Sequence, residues 1–429
     1  MLSPEIVERL AREKGFLIRR SKLLPLDFLK MLLLDHLQSD QPSLQQHCLG
    51  LFNCGTQISK QGIDKRFNNE SVAFIQSLFE YYLNYQISHT PLSTGLCQSF
   101  KAIRIMDSTQ FKLPAKMATE FSGYDGDGTE ACAQLQFEYD LLSGKVIELS
   151  IDKARVADVT YAYKSNRSVQ PGELVLRDLG YWTFQSYKDI DDRDAFYVSR
   201  LKAQANIYEK KDGSFVQLSA EQIIERLQNS KEKYLDIPVY IGSEVKTPTR
   251  LIANLLDQQA INRRIRRKNV RKGKLTKRDE LWTKHNVFVT NISTEKSSAE
   301  GIYNLYKLRW QIELIFKSWK SILKIHLVKP MKVERFKCYL ISKLIWIMLN
   351  WDMFMSFSDK ILQTHTRIIS LYKCFSIVKS QAKLLIQLIF RRKKSKLRIW
   401  LAKLYNSISN YALKEERKGR ISLKFLLKH

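Results

Sequence analysis

Hydrophobic and polar positions divide the chain into helical and strand-forming stretches. Residues 3–40 and 56–87 repeat with the period of helices, and from about Leu96 the period becomes that of strands. The stretches with strand character are Phe100–Met106, Leu135–Asp140, Lys145–Asp152, Glu173–Arg177 and Ala195–Leu201. Leu142-Ser143-Gly144 predicts a hairpin between the second and third of them, and residues 154–165 predict a helix. This order predicts an α/β fold in which helices flank a mixed sheet.

Further short strands interrupt that order between residues 203 and 284. They are Phe215–Leu218, Val239–Gly242 and Arg250–Leu255. Val287–Thr290 follows as another strand, and Ser297 with Glu300 predicts a capping box that opens a long helix. The chain is helical and increasingly basic from Lys329 onward. We therefore expect a helical region at 1–95, an α/β core at 96–350 with a β-rich insertion at about 203–284, and a basic helical region at 351–429.

The helix near residue 310 carries a charged stripe. At 100° per residue, one sector of about 60° holds a phenol, a carboxylate and two cations. These residues are Tyr306, Arg309, Glu313 and Lys320. The opposite face is apolar and consists of Leu308, Ile312, Ile315 and Trp319. An amphipathic helix with a solvated face has this pattern, and so does a site that binds metal and phosphate, so the rest of the chain must decide between them.

The charge of the chain favours an anionic partner. There are 71 Lys and Arg against 43 Asp and Glu, a net charge of +28. Such an excess suits nucleic acid, or less often an anionic membrane. Between Asn262 and Lys284 there are 11 basic and two acidic residues, which either follow phosphates or form a solvated loop. Arg391–Lys394 is the densest cluster of a C-terminal region with the same two interpretations.

Cysteine spacing and hydropathy narrow the class of protein. The six cysteines are scattered without a CxxC motif, which argues against a zinc site and a disulfide framework. The N-terminus has no signal-peptide pattern, so a cytoplasmic protein is expected. Residues 338–357 are apolar enough for a membrane span, but Lys343, Asn350 and Asp352 favour a buried core helix. We expect no membrane association.

Two aspartates follow predicted strands. Asp107 comes after Phe100–Met106, and Asp178 comes after Glu173–Arg177. Either could be a turn former. Strand ends, however, are where α/β sheets present reactive groups, and together with Glu313 three carboxylates could converge at one edge. Three carboxylates are what two Mg²⁺ ions need for phosphoryl transfer.

The spacing of the charged stripe resembles the Y-R-E-K signature of bacterial insertion-sequence DDE transposases of the insertion sequence four family. Tyr306, Arg309, Glu313 and Lys320 are separated by two, three and six residues, as in that signature. Asp107 in DST and Asp178 in DLGYW look like the first and second catalytic aspartates of the family. The resemblance covers roughly residues 96–350. It implies an RNase H-like catalytic core, a β-rich insertion before the last catalytic helix and an N-terminal DNA-binding helical region.

The resemblance also implies roles for the matching residues. Asp107, Asp178 and Glu313 would be catalytic and would bind two Mg²⁺ ions, for which Mn²⁺ can substitute. Tyr306, Arg309 and Lys320 would contact phosphates of the transposon ends. In some members a tryptophan of the insertion stacks on a flipped base during hairpin formation. Here Asn286 stands near that position and Trp282 is four residues away, so the excision route stays open.

Other basic residues are candidate contacts with double-stranded DNA. The segment Thr56–Phe67 has the small polar start and basic face of a recognition helix in a helix-turn-helix. Its candidate contacts are Lys60, Lys65 and Arg66, and those of the basic run are Arg263, Arg264, Arg266 and Arg267. The family implies terminal inverted repeats and target DNA as partners, a homodimer on DNA and a nucleoid-associated cytoplasmic location. A DNA-binding protein without catalysis and a metal-dependent nuclease without strand transfer are the alternatives.

Overall fold

The N-terminal region is a set of short helices that pack on a long helix from the other end of the chain. The computed structural model describes residues 3–415 apart from 20–21, 40, 85, 87–94, 125–129, 231, 243, 273–281, 366 and 391–393. The N-terminal helices are α1 (Pro4–Glu13), α2 (Pro25–Gln38), α3 (Leu44–Phe52), α4 (Lys60–Lys65) and α5 (Asn69–Asn84). Ser3, Ser43 and Ser59 cap α1, α3 and α4 by accepting a hydrogen bond from a first-turn N–H, as small polar residues do at helix starts.

One mixed sheet forms the centre of the molecule. Its strands are β1 (Ile103–Lys112), β2 (Cys132–Asp140), β3 (Val146–Lys153), β4 (Leu174–Arg177), β5 (Phe196–Arg200), β6 (Ile207–Lys211), β7 (Ser214–Leu218), β8 (Leu235–Ile241), β9 (Thr247–Leu255) and β10 (His285–Thr290). Their order is β3-β2-β1-β4-β5-β10-β9-β8-β6-β7. The first five strands form an antiparallel meander followed by two strands parallel to β1, which is the RNase H-like arrangement that the sequence predicts.

The register between β1 and β4 brings two aspartates to the same level of the sheet. β4 runs parallel to β1, and Met106 stands opposite Arg177. Asp107 directly follows Met106, and Asp178 directly follows Arg177. The expectation that β1 ends at Asp107 is wrong, because β1 continues to Lys112 through its antiparallel pairing with β2. What ends at Asp107 is the pairing with β4, so its side chain still lies at the edge where the parallel strands stop.

The β-rich insertion extends the core sheet. The predicted strands in 203–284 are confirmed by β7, β8 and β9, which are joined by β6 and by helices α8 (Ala220–Asn229) and α9 (Gln258–Lys272). β10 closes the insertion by pairing antiparallel with β5 on one side and with β9 on the other. The strands of the insertion are therefore hydrogen-bonded, through β10, to the strands that carry the two aspartates.

Helices cover both faces of the core strands. Helices α6 (Asp158–Asn166) and α7 (Phe184–Asp191) lie on one face. The other face packs against α11 (Trp310–Ile322), where the Trp319 ring lies 4.9 Å from that of Phe137 on β2. The remaining helices are α10 (Ala299–Leu308), α12 (Val333–His365), α13 (Leu371–Ser380), α14 (Ala382–Phe390) and α15 (Lys394–Tyr411). The apolar stripe predicted on the helix near residue 310 is buried, which confirms its packing role.

The start and continuity of that helix differ from the prediction. Ser298, not Ser297, is the N-cap of α10, because its Oγ accepts from the N–H of Gly301 at 3.2 Å. The helix is also divided in two at Arg309. Arg309 keeps helical angles (φ −52°, ψ −32°) but ends α10 and precedes α11. The Arg309 side chain contacts Glu313, one helical turn later, and Asp107 on β1.

The long helix α12 connects the N-terminal region with the core sheet. It passes through residue 350, the expected boundary of the core, and 72% of its most apolar window is buried inside the protein. The interpretation of residues 338–357 as a buried core helix agrees with this packing. His47 on α3 joins the two parts, with Nδ1 2.5 Å from Asp35 Oδ2 and Nε2 2.5 Å from Tyr339 Oη on α12.

Asp352 on α12 makes the stability of this packing depend on pH. Burial raises the pKa of its carboxyl to about 6, although a hydrogen bond from Tyr82 Oη opposes the shift. The carboxyl of an aspartate in the unfolded chain has a pKa of about 3.9. The folded protein therefore binds this proton more tightly, and the free energy of unfolding falls as the pH rises from about 4 to about 6. We expect Asp352→Asn to raise the free energy of unfolding by about 2 kcal/mol at pH 7.5 and to change it little at pH 4.

Urea unfolding of the wild type and the variant at the two pH values tests this expectation. Glu8→Gln is the control, since Glu8 forms an exposed ion pair with Arg12 on α1. It should change stability by less than about 0.5 kcal/mol at both pH values. An equal effect of Asp352→Asn at pH 4 and pH 7.5 would contradict the titration of Asp352.

Candidate active site

The side chain of Arg309 contacts three carboxylates from separate parts of the chain. Its Nη1 donates to Asp107 Oδ2 at 3.1 Å, and its Nη2 donates to Glu313 Oε1 at 2.6 Å. Nη2 also lies 4.0 Å from Asp178 Oδ1. The structure therefore brings together, around one guanidinium, the three residues that the sequence predicts to be catalytic.

Regular backbone structure positions each carboxylate. Asp107 lies within β1, and the N–H of Ser108 donates to its Oδ1 at 2.8 Å. Asp178 follows β4 and precedes the 3-10 turn Leu179–Tyr181. Glu313 lies in the first turn of α11, one turn after Arg309. Two neighbouring strands and one helix thus converge on the same edge of the sheet.

Partial burial alters the proton equilibria of this cluster. Burial raises the pKa of Asp107 to about 7, against the effects of Arg309 and the Ser108 N–H, while Asp178 and Glu313 add to the rise. Burial alone would lower the pKa of Arg309, but Tyr306 and the carboxylates outweigh it and raise the pKa of the guanidinium. Arg309 is therefore the fixed positive charge of the site.

A fourth carboxylate, Asp158 at the start of α6, links β1 and β2 and lies beside the turn that follows β4. Ser108 Oγ donates to Asp158 Oδ1 at 3.2 Å, and Gln134 Nε2 donates to the same oxygen at 3.0 Å. A Cβ at Gly180 would lie 2.8 Å from Asp158 Oδ2. A larger residue at position 180 would therefore require the Asp158 side chain to shift.

A groove of about 610 Å³ opens from the carboxylates along α11. Its wall is basic on one side and carries hydroxyl groups on the other. The residues that line it are Asp107, Ser108, Thr109, Glu313, Phe316, Lys317, Lys320, Ser321, Lys324 and His326. Lys324 and His326 are not among the residues predicted from the sequence, because they lie beyond the end of α11 and belong to no helical stripe. Such a groove has the charge to bind a phosphate backbone.

The two other residues of the signature lie in different surroundings. Lys320 lines the groove, donates to the carbonyl of Gln110 at 3.2 Å, and has its pKa lowered by burial. Tyr306 packs against Phe288 at a ring distance of 5.0 Å, and burial raises the pKa of its hydroxyl to about 12. The guanidinium carbon of Arg309 lies 5.8 Å from the Tyr306 ring. Lys320 can therefore meet a phosphate in the groove, whereas Tyr306 supports Arg309.

The segment predicted to hold a recognition helix, Thr56–Phe67, contains the six-residue helix α4. Lys60 and Lys65 are exposed at its two ends. Arg66 is half-buried, and its guanidinium carbon lies 5.9 Å from the ring of Phe16. The helix is shorter than the pattern suggests, but both lysines remain accessible to a phosphate backbone.

The basic run forms helix α9 where it is described, and its arginines differ in role. Arg264 is half-buried and donates to a β10 carbonyl at 2.9 Å and to Asn286 Oδ1 at 2.5 Å. Burial lowers the pKa of Arg264 to about 10. Arg263 and Arg266 are exposed, and the side chain of Arg267 lies outside the described residues. Arg264 therefore fastens α9 to the sheet, while its two neighbours face solvent.

Trp282, the tryptophan considered for base stacking, is buried, and so is Trp182 near Asp178. Trp282, which follows the undescribed residues 273–281, is 9% exposed and packs in the core of the insertion. Trp182 is 6% exposed and contacts Phe184 at 4.6 Å. Neither ring presents a free face to a flipped base in this conformation.

The donor set of the cluster suits a hard divalent cation. Asp107, Asp178 and Glu313 offer carboxylate oxygens, which are the ligands that Mg²⁺ prefers. Across the described residues, no group of three or more Asp, Glu, His or Cys side chains is arranged to hold a metal ion as it stands. At this site the guanidinium of Arg309 lies between the carboxylates. Metal binding by these three residues therefore requires Arg309 to give up its present contacts.

Comparison with known proteins shows where such a site occurs. A family model described as "Transposase DDE domain" matches residues 98–349, which include all three carboxylates. The chain belongs to the DDE transposases of bacterial insertion sequences. This transposase is 31% identical to the "Transposase for insertion sequence element IS231F" of Bacillus thuringiensis subsp. israelensis, over 90% of this chain and 85% of that protein.

Two further comparisons concern another bacterial transposase and a solved structure. The "Transposase for insertion sequence element IS1151" of Clostridium perfringens is 31% identical, over 74% of this chain and 71% of that protein. A solved piggyBac transposase synaptic complex with hairpin DNA aligns with a TM-score of 0.47 at 11% identity, over 98% of this chain and 87% of that chain. The family assignment rests on the family model and the bacterial relatives, and DNA transposition is the activity of this transposase.

Proposed function

We propose that Asp107, Asp178 and Glu313 are the catalytic residues and hold two Mg²⁺ ions during cut-and-paste transposition. The observation that carries this proposal is the convergence of all three side chains on Arg309, within 4.0 Å of its terminal nitrogens. Their oxygen-only donor set fits Mg²⁺, with Mn²⁺ as a substitute. The bound metals supply Lewis-acid activation of a water or a 3′-hydroxyl and stabilisation of the leaving oxygen.

The reaction needs little more from the protein than position and charge. Hydrolysis at the element end frees a 3′-hydroxyl, whose oxygen then forms a bond to a target phosphorus while the target 3′-oxygen leaves with the proton. No covalent enzyme intermediate and no ATP are required. The carboxylates on β1 and at the end of β4 are fixed by the sheet, and Glu313 is fixed by the packing of Trp319, so the positions of the three carboxylates are set before DNA arrives.

The groove along α11 provides a path for the DNA backbone next to the reacting phosphate. Lys320 contacts this backbone, and Lys317, Lys324 and His326 of the same groove add to the contact. Arg309 binds a phosphate at the element end, as the Y-R-E-K spacing implies, and Tyr306 holds Arg309 in place. Cations along a groove neutralise phosphates and release counterions, which makes the affinity dependent on salt.

More distant contacts and the assembly state belong to the same proposal. The N-terminal region at 1–95 binds the terminal inverted repeats through Lys60, Lys65 and Arg66. Arg263, Arg266 and Arg267 on α9 contact the flanking duplex, and the part beyond residue 350 supplies further basic surface. Two ends must be joined in concert, so the active assembly is a homodimer on DNA, in the cytoplasm at the nucleoid.

Incubation with DNA tests the proposed function. The full chain is mixed with Mg²⁺, a target plasmid and duplexes that carry the two ends of its own element with flanking sequence. On a denaturing gel we expect strands cut at the element end and joined products with the plasmid, whereas duplexes with scrambled ends should remain intact. Cleavage without joined products would identify a nuclease, and binding without cleavage would identify a DNA-binding protein.

A further inference from the structure

Arg309 occupies the position that a metal ion would need among the three carboxylates. Its side chain is 13% exposed, and both terminal nitrogens contact carboxylate oxygens, while its Nε is buried without a hydrogen-bond partner among the described residues. Both oxygens of Asp107 are engaged, Oδ1 by the Ser108 N–H and Oδ2 by Arg309. In the DNA-free protein, the carboxylates are thus already compensated by a cation of the chain itself.

A guanidinium and a divalent cation compete for these oxygens. A metal at coordination distance from Asp107 and Glu313 would lie close to Nη1 and Nη2 and would repel the guanidinium at that range. Arg309 must therefore leave when metal binds, and it needs a new anionic partner. A DNA phosphate is such a partner, because the planar fork of Arg matches two phosphate oxygens.

We propose that Arg309 is the resident counter-ion of the DNA-free site and competes with divalent metal for Asp107, Asp178 and Glu313. This inference rests on the proposed function, in which the three carboxylates bind metal. A DNA phosphate draws Arg309 out of the cluster and so raises the metal affinity of the site. Binding energies are reciprocal, so metal raises the affinity for DNA by the same factor. The site therefore binds metal tightly when DNA is bound and weakly when DNA is absent.

Mn²⁺ binding measured by electron paramagnetic resonance tests the competition. Without DNA, Arg309→Gln should bind Mn²⁺ about tenfold more tightly than the wild type, the opposite of what loss of an active-site residue usually causes. A pre-cleaved duplex of the element end should tighten Mn²⁺ binding by about tenfold in the wild type and leave Arg309→Gln nearly unchanged. Weaker or equal Mn²⁺ binding by DNA-free Arg309→Gln would overturn the inference.

Two further variants serve as controls for this experiment. Arg309→Lys keeps the charge without the fork and should lie between the wild type and Arg309→Gln, and it also covers the case in which Arg309→Gln does not fold. Arg226→Gln is the matched control, because Arg226 pairs with Glu209 in the insertion, away from the cluster. Its Mn²⁺ binding should equal that of the wild type, and a tenfold gain there would also overturn the inference.

Glu313→Gln separates this inference from the proposed function. If the wild type with DNA binds Mn²⁺ and Glu313→Gln does not, the carboxylates bind metal, and the behaviour of the Arg309 variants decides the competition alone. If Glu313→Gln binds Mn²⁺ as the wild type does, the metal assignment of the site fails, and the inference fails with it.

Discussion

Glu313→Gln is expected to lower Mg²⁺-dependent cleavage of element ends by about 10³-fold, equivalent to about 4 kcal/mol of activation free energy. The amide keeps the shape of the side chain but removes its negative charge. Of the three carboxylates in the cluster, Glu313 is the one that α11 supplies. Single-turnover cleavage of an end duplex measures the effect. Binding of the same duplex in EDTA should change by less than about threefold, since Glu313 itself repels phosphate.

The matched control for this variant is a carboxylate at the same edge of the sheet with a different role. Asp158 is bonded to Ser108 and Gln134 and does not contact Arg309 in the described structure. Asp158→Asn should reduce cleavage by no more than about tenfold, through a shift of the turn after β4. Cleavage by Glu313→Gln at the wild-type rate would remove Glu313 from the catalytic set.

Arg104→Met is expected to destabilise the protein by about 3–5 kcal/mol, because it leaves a buried charge without its partner. Arg104 Nε donates to Glu138 Oε1 at 2.9 Å between β1 and β2, and the two side chains are 3% and 1% exposed. Without Arg104, Glu138 keeps its hydrogen bonds from Ser165 and the electrostatic attraction of the buried Arg177, but it loses its direct ion pair. The midpoint of urea unfolding measures the loss.

A double variant shows whether the loss comes from the unpaired charge. Arg104→Met with Glu138→Leu removes both charges and should be more stable than the sum of the two single changes, although Arg177 then lacks the attraction of Glu138. Arg9→Met is the surface control, since Arg9 pairs with Glu13 at 3.4 Å in an exposed position, and it should cost less than about 0.5 kcal/mol. A double variant as unstable as the sum of its single changes would contradict the role of the pair.

The carboxylate cluster could be predicted because its members are marked by local patterns. Asp107 and Asp178 each follow an apolar run, and Glu313 stands in a stripe with fixed spacing, so strand period and helix period suffice to select them. The sheet was predictable for the same reason, since most of its strands are short apolar runs bounded by turns. The extension of β1 past Asp107 was not, because it depends on pairing with β2 and not on the composition of β1.

Other parts of the site depend on contacts between distant segments. Asp158 is an ordinary polar residue at a helix start, and only the fold brings it over Gly180. Lys324 and His326 join the groove through the turn after α11, where Lys324 has a positive φ of 49°. Arg309 was selected as a phosphate contact from its place in the helical stripe, but its contact with Asp107 depends on the fold, which brings β1 beside the helix.

The passage of α12 from the N-terminal helices to the end of the core has a consequence for truncated copies of the chain. Beyond residue 350, Trp351 of this helix packs against Tyr139, and Asp352 accepts a hydrogen bond from Tyr82. A frameshift there would take away packing under both the sheet and α5. Loss of the part beyond residue 350 would therefore weaken the N-terminal region and the sheet together, and it would leave neither of them with its full packing.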